Sequence, residues 1–195
     1  MRKAAILAIL AIFFAGFVFS VVRMENLRAN GADALFPLAP VDPRALLMGD
    51  YMALDFMVNR AISQALHEKH GETFRKKANN PMSGTAVISA AKPAGDNNDI
   101  AFAAFVRLDD GTPLAPGELR LAFKVRNRGV RTVSSAFYFQ EGTAAAYEQA
   151  RFGRVKVEGY GKTLLLALCD KDGRDIHPKG RGKEENNDSN RRENN

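Results

Sequence analysis

Residues 118–139 read ELRLAFKVRNRGVRTVSSAFYF: two runs rich in aliphatic, β-branched and aromatic residues around Asn127-Arg128-Gly129. Such runs suit a pleated, half-buried surface. The central triplet carries turn chemistry. Residues 118–126 and 130–139 are therefore predicted as strands. Arg120, Lys124, Arg126 and Arg128 share one parity and fall on one face of the first strand and its turn. That face reads first as a solvated sheet surface. A contact with anionic lipid headgroups is the sharper reading, as it is for Arg75-Lys76-Lys77.

Working outward, residues 85–90 and 100–108 also read as strands, the latter ending at the Asp109-Asp110-Gly111 turn signal. Residues 34–38 form a short apolar stretch closed by Ala39-Pro40. Residues 51–58 alternate, with Met52, Leu54, Phe56 and Val58 on one face of a strand. From Asn59 the period changes, and Ala61, Ile62, Ala65 and Leu66 predict a short helix that stops at His70-Gly71. Residues 75–83 read as a loop. Downstream come a helix of about two turns over residues 143–151, strands over 155–158 and 163–169, and a final short strand near Asp175-Ile176. Many strands and few helices predict an α+β fold, a mostly antiparallel β domain of barrel-like or sandwich form with one or two short helices.

The N-terminus is of another kind. From Ala4 to Val22 there are 19 residues without a charge, and only Gly16 and Ser20 lie outside the hydrophobic set. At about 1.5 Å per residue they span roughly 28 Å, close to the hydrocarbon thickness of a bilayer. A cleaved leader would have a shorter apolar core and a small-x-small site; here Val21-Val22-Arg23-Met24-Glu25 follows. The segment is expected to stay as a membrane anchor, giving residues 1–23 as anchor, 24–178 as domain and 179–195 as a polar tail that, without aliphatic or aromatic residues, is expected to be disordered. Arg2, Lys3 and the terminal amine precede the helix, while Arg23 and Arg28 follow it with Glu25 between. This slight bias puts the N-terminus in the cytoplasm and the domain in the periplasm or outside the cell.

The formal net charge is +6, but residues 24–178 carry 20 bases against 18 acids. A nucleic-acid binder would need its positive charge concentrated on the folded body, so that class is disfavoured. A multi-pass membrane protein is excluded, because no second run approaches the length of the first.

Chemistry is sparse. Cys169 follows Leu164-Leu165-Leu166-Ala167-Leu168 and reads as a buried structural thiol. His67 and His70 stand three apart, whereas helical zinc sites space their histidines by four. Asp96, Asp99, Asp109 and Asp110 lack calcium-loop spacing, and the glycines at 153, 159 and 161 do not open a helix as a phosphate loop requires. No metal and no cofactor are expected.

Residues 40–56, PVDPRALLMGDYMALDF, hold the most specific motif. Asp42 suits an N-cap and Pro43 the first residue of a helical turn over 44–48. Gly49 permits a positive φ where that turn meets a strand, and Asp50 can accept loop hydrogen bonds or pair with Arg44. Gly49, Asp50, Tyr51 and Leu54 match the signature of the GDYXXLXY family, which the chain resembles over residues 25–176. Phe56 stands where the final tyrosine would be, keeping the ring without its hydroxyl. Tyr138-Phe139-Gln140-Glu141-Gly142, with Glu148 on the helix that follows, resembles a second family block, Tyr-x-x-Glu-Gly. The resemblance implies a bacterial, membrane-anchored protein of unassigned activity with a multi-pass membrane protein as partner. A weaker likeness is to type I signal peptidases, with Lys124 in the place of their base. The stretch Ala39-Pro40-Val41-Asp42-Pro43 lacks their serine, and a base without a nucleophile transfers no acyl group.

The leading expectation is a non-enzymatic, membrane-anchored accessory protein. Its binding surface would comprise Asp42, Arg44, Asp50, Tyr51, Tyr138 and Glu141, with Pro43, Gly49, Leu54, Phe56 and Gly142 as structural members. The alternative is an envelope hydrolase that uses carboxylates such as Asp50 and Glu141.

Overall fold

The computed structural model describes residues 2–39, 47–48, 51–77, 82–91, 101–126 and 129–178. Helix α1 (Arg2–Asn30) leads at once into β1 (Ala32–Pro37). There follow β2 (Leu47–Met48), β3 (Tyr51–Ala53), α2 (Met57–Lys77), β4 (Met82–Ala91), β5 (Ala101–Leu108) and β6 (Glu118–Arg126). Then come β7 (Gly129–Arg131), β8 (Ala136–Tyr138), α3 (Ala144–Tyr147), β9 (Phe152–Val157) and β10 (Thr163–Cys169). Seven strands form one sheet, ordered β10-β9-β1-β5-β4-β6-β7 and curled into a half-barrel; β2-β3-β8 form a second, small sheet. Pairing is antiparallel throughout except between β1 and β5. The mostly β expectation holds, and one helix is long and apolar enough to cross a membrane.

The β6 strand has the residues read from the sequence, and its alternation does the work. Leu121, Phe123 and Val125 are buried on the concave face, while Lys124 and Arg126 stand outside. Helix α2 fills the concavity. Val58, Ile62 and Leu66, four apart, make one apolar stripe against the sheet, and all three are buried. The expected stop at His70-Gly71 is a kink, where Gly71 takes φ 52°. The helix continues to Lys77, so residues 75–77, read as loop, are helical; residues 78–81 lie outside the described residues.

Three other readings are corrected. The alternating strand of 51–58 is extended only over β3; Met57 already begins α2. Residues 130–139 divide into β7, which pairs with β6, and β8, which pairs with the distant β3 in the other sheet; between them Ser134 Oγ donates to the Ala136 carbonyl 2.6 Å away. The 143–151 helix shrinks to the four residues of α3, since Arg151 N–H donates to the Cys169 carbonyl (2.8 Å) and draws the chain into the sheet. The turn read at 127–128 lies outside the described residues, as does the tail from 179. Of the last expected strand only one bridge exists, Cys169 to Asp175.

That bridge is reinforced by side chains. Asp175 pairs with Arg154 at 2.9 Å and accepts a hydrogen bond from the Cys169 thiol at 3.2 Å. Burial, then Asp175, pushes the thiol pKa up to about 12 from an ordinary 9.0. The protonated thiol is therefore favoured in the folded chain. The unfolded chain deprotonates first, so this contribution to stability is complete below about pH 9 and is lost as pH rises toward 12. Cys169 should resist iodoacetamide in the native protein at pH 8 and react fully after denaturation. Native labelling, followed by mass spectrometry, would contradict a buried thiol.

The half-barrel is drawn together at a seam. The turn between β9 and β10 meets β6, where Ala122 N–H donates to the Gly161 carbonyl at 2.8 Å. Next to it Thr163 Oγ1 donates to the Thr132 carbonyl (2.9 Å), and Thr132 Oγ1 donates to Asn59 Oδ1 of α2 (2.7 Å). Gly161 takes φ 83°, and a Cβ there would stand 2.5 Å from the Ala122 nitrogen. Gly161→Ala should cost roughly 1–3 kcal/mol of stability from backbone strain and the clash. A thermal melt of the purified variant checks this, and an unaltered Tm would mean the seam does not constrain the fold.

Candidate functional site

The signature residues divide between core and surface. Leu54 and Phe56 are buried, and the Phe56 ring meets Phe36 edge-on with centroids 6.2 Å apart. Gly153 of β9 faces the same ring so closely that a Cβ would lie 2.9 Å from it. This apolar surrounding accounts for phenylalanine at the last signature position, since a buried hydroxyl needs a hydrogen-bond partner. Leu38, Ala39 and Leu54 hold the segment by backbone bonds to Arg151, Asp55 and Ser135, each of 2.8–2.9 Å.

Tyr51 emerges on the other side. In the small sheet it stands directly opposite Tyr138, and the two rings lie 5.6 Å apart, tilted by 40°. Tyr51 is half-buried, whereas Tyr138 is 75% exposed. The two family blocks thus meet in one cross-strand aromatic pair. Behind it Phe137 and Phe139 both contact the ring of Tyr147, the buried end of α3. Burial raises the Tyr147 pKa. Gly142 sits in the turn before α3 with φ 79°, a conformation that favours glycine. Glu141 is exposed in the same turn, and its carboxylate has no ion pair among the described residues. Asp42, Pro43, Arg44, Gly49 and Asp50 lie outside the described residues. Leu47 and Met48, read as the end of a helical turn, are instead extended and pair with Met52 and Tyr51.

Other candidate chemistry disperses. Among the described residues no three His, Cys, Asp or Glu side chains are placed to hold a metal. Asp109 and Asp110 shape the turn after β5. Asp109 accepts from Gly111 N–H at 3.0 Å and pairs with Arg120, and both effects lower its pKa. Asp110 is lowered chiefly by its bonds from Thr112. Lys124 faces outward opposite Arg131, with no carboxylate paired to it among the described residues.

Sequence reasoning missed the junction of helix and sheet. Leu27 is buried, Arg23 pairs with Glu158 (3.6 Å), and Lys156 bridges Asp33 and the Gly31 carbonyl, both at 3.1 Å.

Together these features define a mostly β domain carried without a linker on a long apolar N-terminal helix, presenting a paired-tyrosine face. The chain belongs to the GDYXXLXY family, whose profile matches residues 13–168, most of its length. No curated protein and no solved structure matches it.

Proposed function

We propose that this is a single-pass membrane protein whose domain stands outside the cytoplasm and binds a multi-pass membrane partner through the Tyr51–Tyr138 face. The observation that carries the reading is the cross-strand tyrosine pair, made from both signature blocks and exposed at Tyr138. Tyrosine joins apolar area to a hydrogen-bonding tip at low entropic cost and is enriched in interface hot spots. Anchoring is supported by the apolar residues of α1: Ile9, Ile12, Phe13, Phe17 and Phe19 are all more than half exposed, with nothing among the described residues to cover them. Bilayer contact through Ala4 to Val22 would cover them. The slight excess of positive charge before the helix favours a cytoplasmic N-terminus, which would leave the domain in the periplasm or at the cell surface. The role is that of an accessory protein.

Two experiments test this. A reporter fused after Asn195 should be active only in its extracytoplasmic form; activity of a cytoplasmic reporter would reverse the topology. Tyr138→Ala should cost at most about 1 kcal/mol of stability, the scale of one cross-strand aromatic pair. The variant should nevertheless lose a multi-pass protein that crosslinks to the wild-type chain in membranes. Equal crosslinking by both chains would remove this face from consideration.

A further inference from the structure

A cavity of about 640 Å³ lies at the seam of the half-barrel, lined on one side by Met24 and Leu27 of α1 and on the other by β6, β7 and the β9–β10 turn. Four cations line it: Lys124, Arg126, Arg131 and Lys162. All four are exposed, and none has an ion pair or side-chain hydrogen bond among the described residues. No carboxylate lines the cavity among the described residues. Lys124 and Arg131 are direct cross-strand partners, an arrangement of like charges that destabilises a sheet. The wall on the α1 side is apolar, made by Met24 and Leu27. An anion with an apolar body fits this lining.

The position along α1 selects the source of that anion. Met24 and Leu27 follow the last residue of the apolar run, Val22, by two and five residues. On a helix these are about 3 and 7.5 Å beyond it. A headgroup layer is about 5–7 Å thick on each side of the hydrocarbon. The cavity therefore opens at headgroup depth if α1 crosses a bilayer. The turn beside it lies at the same level, because Glu158 pairs with Arg23. Tyr160, at the tip of that turn, is 83% exposed, as suits a tyrosine at a membrane interface.

We infer that this cavity seats the phosphate-bearing headgroup of an anionic phospholipid from the membrane that α1 crosses. Lys124, Arg126, Arg131 and Lys162 hold the phosphate, and Met24 and Leu27 meet the glycerol and upper acyl carbons. The inference rests on the anchoring proposed above.

The test uses the full chain in a neutral detergent, titrated with phosphatidylglycerol, phosphatidylcholine or inorganic phosphate and followed by native mass spectrometry. Phosphatidylglycerol should form a one-to-one adduct that phosphatidylcholine does not. A Lys124→Gln/Arg131→Gln double variant should bind it about 25-fold more weakly, roughly fivefold for each cation lost near a surface. Its Tm should match or exceed the wild type, since the like-charge pair is gone. A Lys171→Gln/Arg174→Gln variant, with the same charge loss elsewhere, should bind as the wild type does. Equal binding of the two lipids, equal loss in both variants, or displacement by inorganic phosphate at lower concentration than the lipid would overturn the inference. Carbonate extraction separates the two readings. A wild-type chain released from membranes would sink the anchoring and this inference together, whereas a retained chain without lipid preference would sink this inference alone.

Discussion

The structure depends on the direct passage from α1 into β1. A single residue, Gly31, lies between Asn30 and Ala32, and its N–H still donates to the Leu27 carbonyl at 2.9 Å. A Cβ there would stand 2.5 Å from that carbonyl oxygen. The strand that follows is an interior one, third of the seven in the sheet, paired by β9 on one side and β5 on the other. The helix is thus continuous with the core; Arg23 pairs it with Glu158 just past the end of β9, and Lys156 of β9 pairs with Asp33 of β1 beside the junction. Whatever α1 is embedded in sets the attitude of the whole sheet.

The family signature serves two ends with one alternation. Even-numbered Met52, Leu54 and Phe56 go to the core, while Tyr51 is left toward the surface to meet Tyr138. Truncating a core member would loosen the segment that presents the tyrosine, so loss of binding alone would not distinguish support from contact. The exposed Tyr138 is free of that ambiguity. Separation of charge follows a similar division. Around the junction and the Asp109 turn, carboxylates are paired with cations; along the seam cavity the cations stand without them.

What could be read in the sequence was what periodicity fixes locally. The bounds of β6 and β10 match the readings residue for residue, because each has apolar content ended by turn chemistry. Residue 58 misled for a definite reason. It continues the two-residue period of 52, 54 and 56, and it also begins the four-residue stripe of 58, 62 and 66, so a buried valine there satisfies strand and helix alike. The split of 130–139 between two sheets turns on contacts made by residues distant in sequence. The tyrosine pair was legible as two motifs, though not as neighbours. The seam cavity was not legible at all, since it requires Gly161 to meet Ala122 beneath the end of α1.

The interior place of β1 has a consequence for synthesis. Its partners begin at Ala101 and Phe152, so the strand emerges long before either neighbour exists. Until then both of its edges carry unpaired backbone groups, beside a helix that is itself apolar. Non-local pairing of this kind folds slowly and leaves a strand open to mispairing with other chains. Capture of α1 by a bilayer would hold nascent chains apart during that interval, so the anchor would act as a chaperone for the strand it precedes.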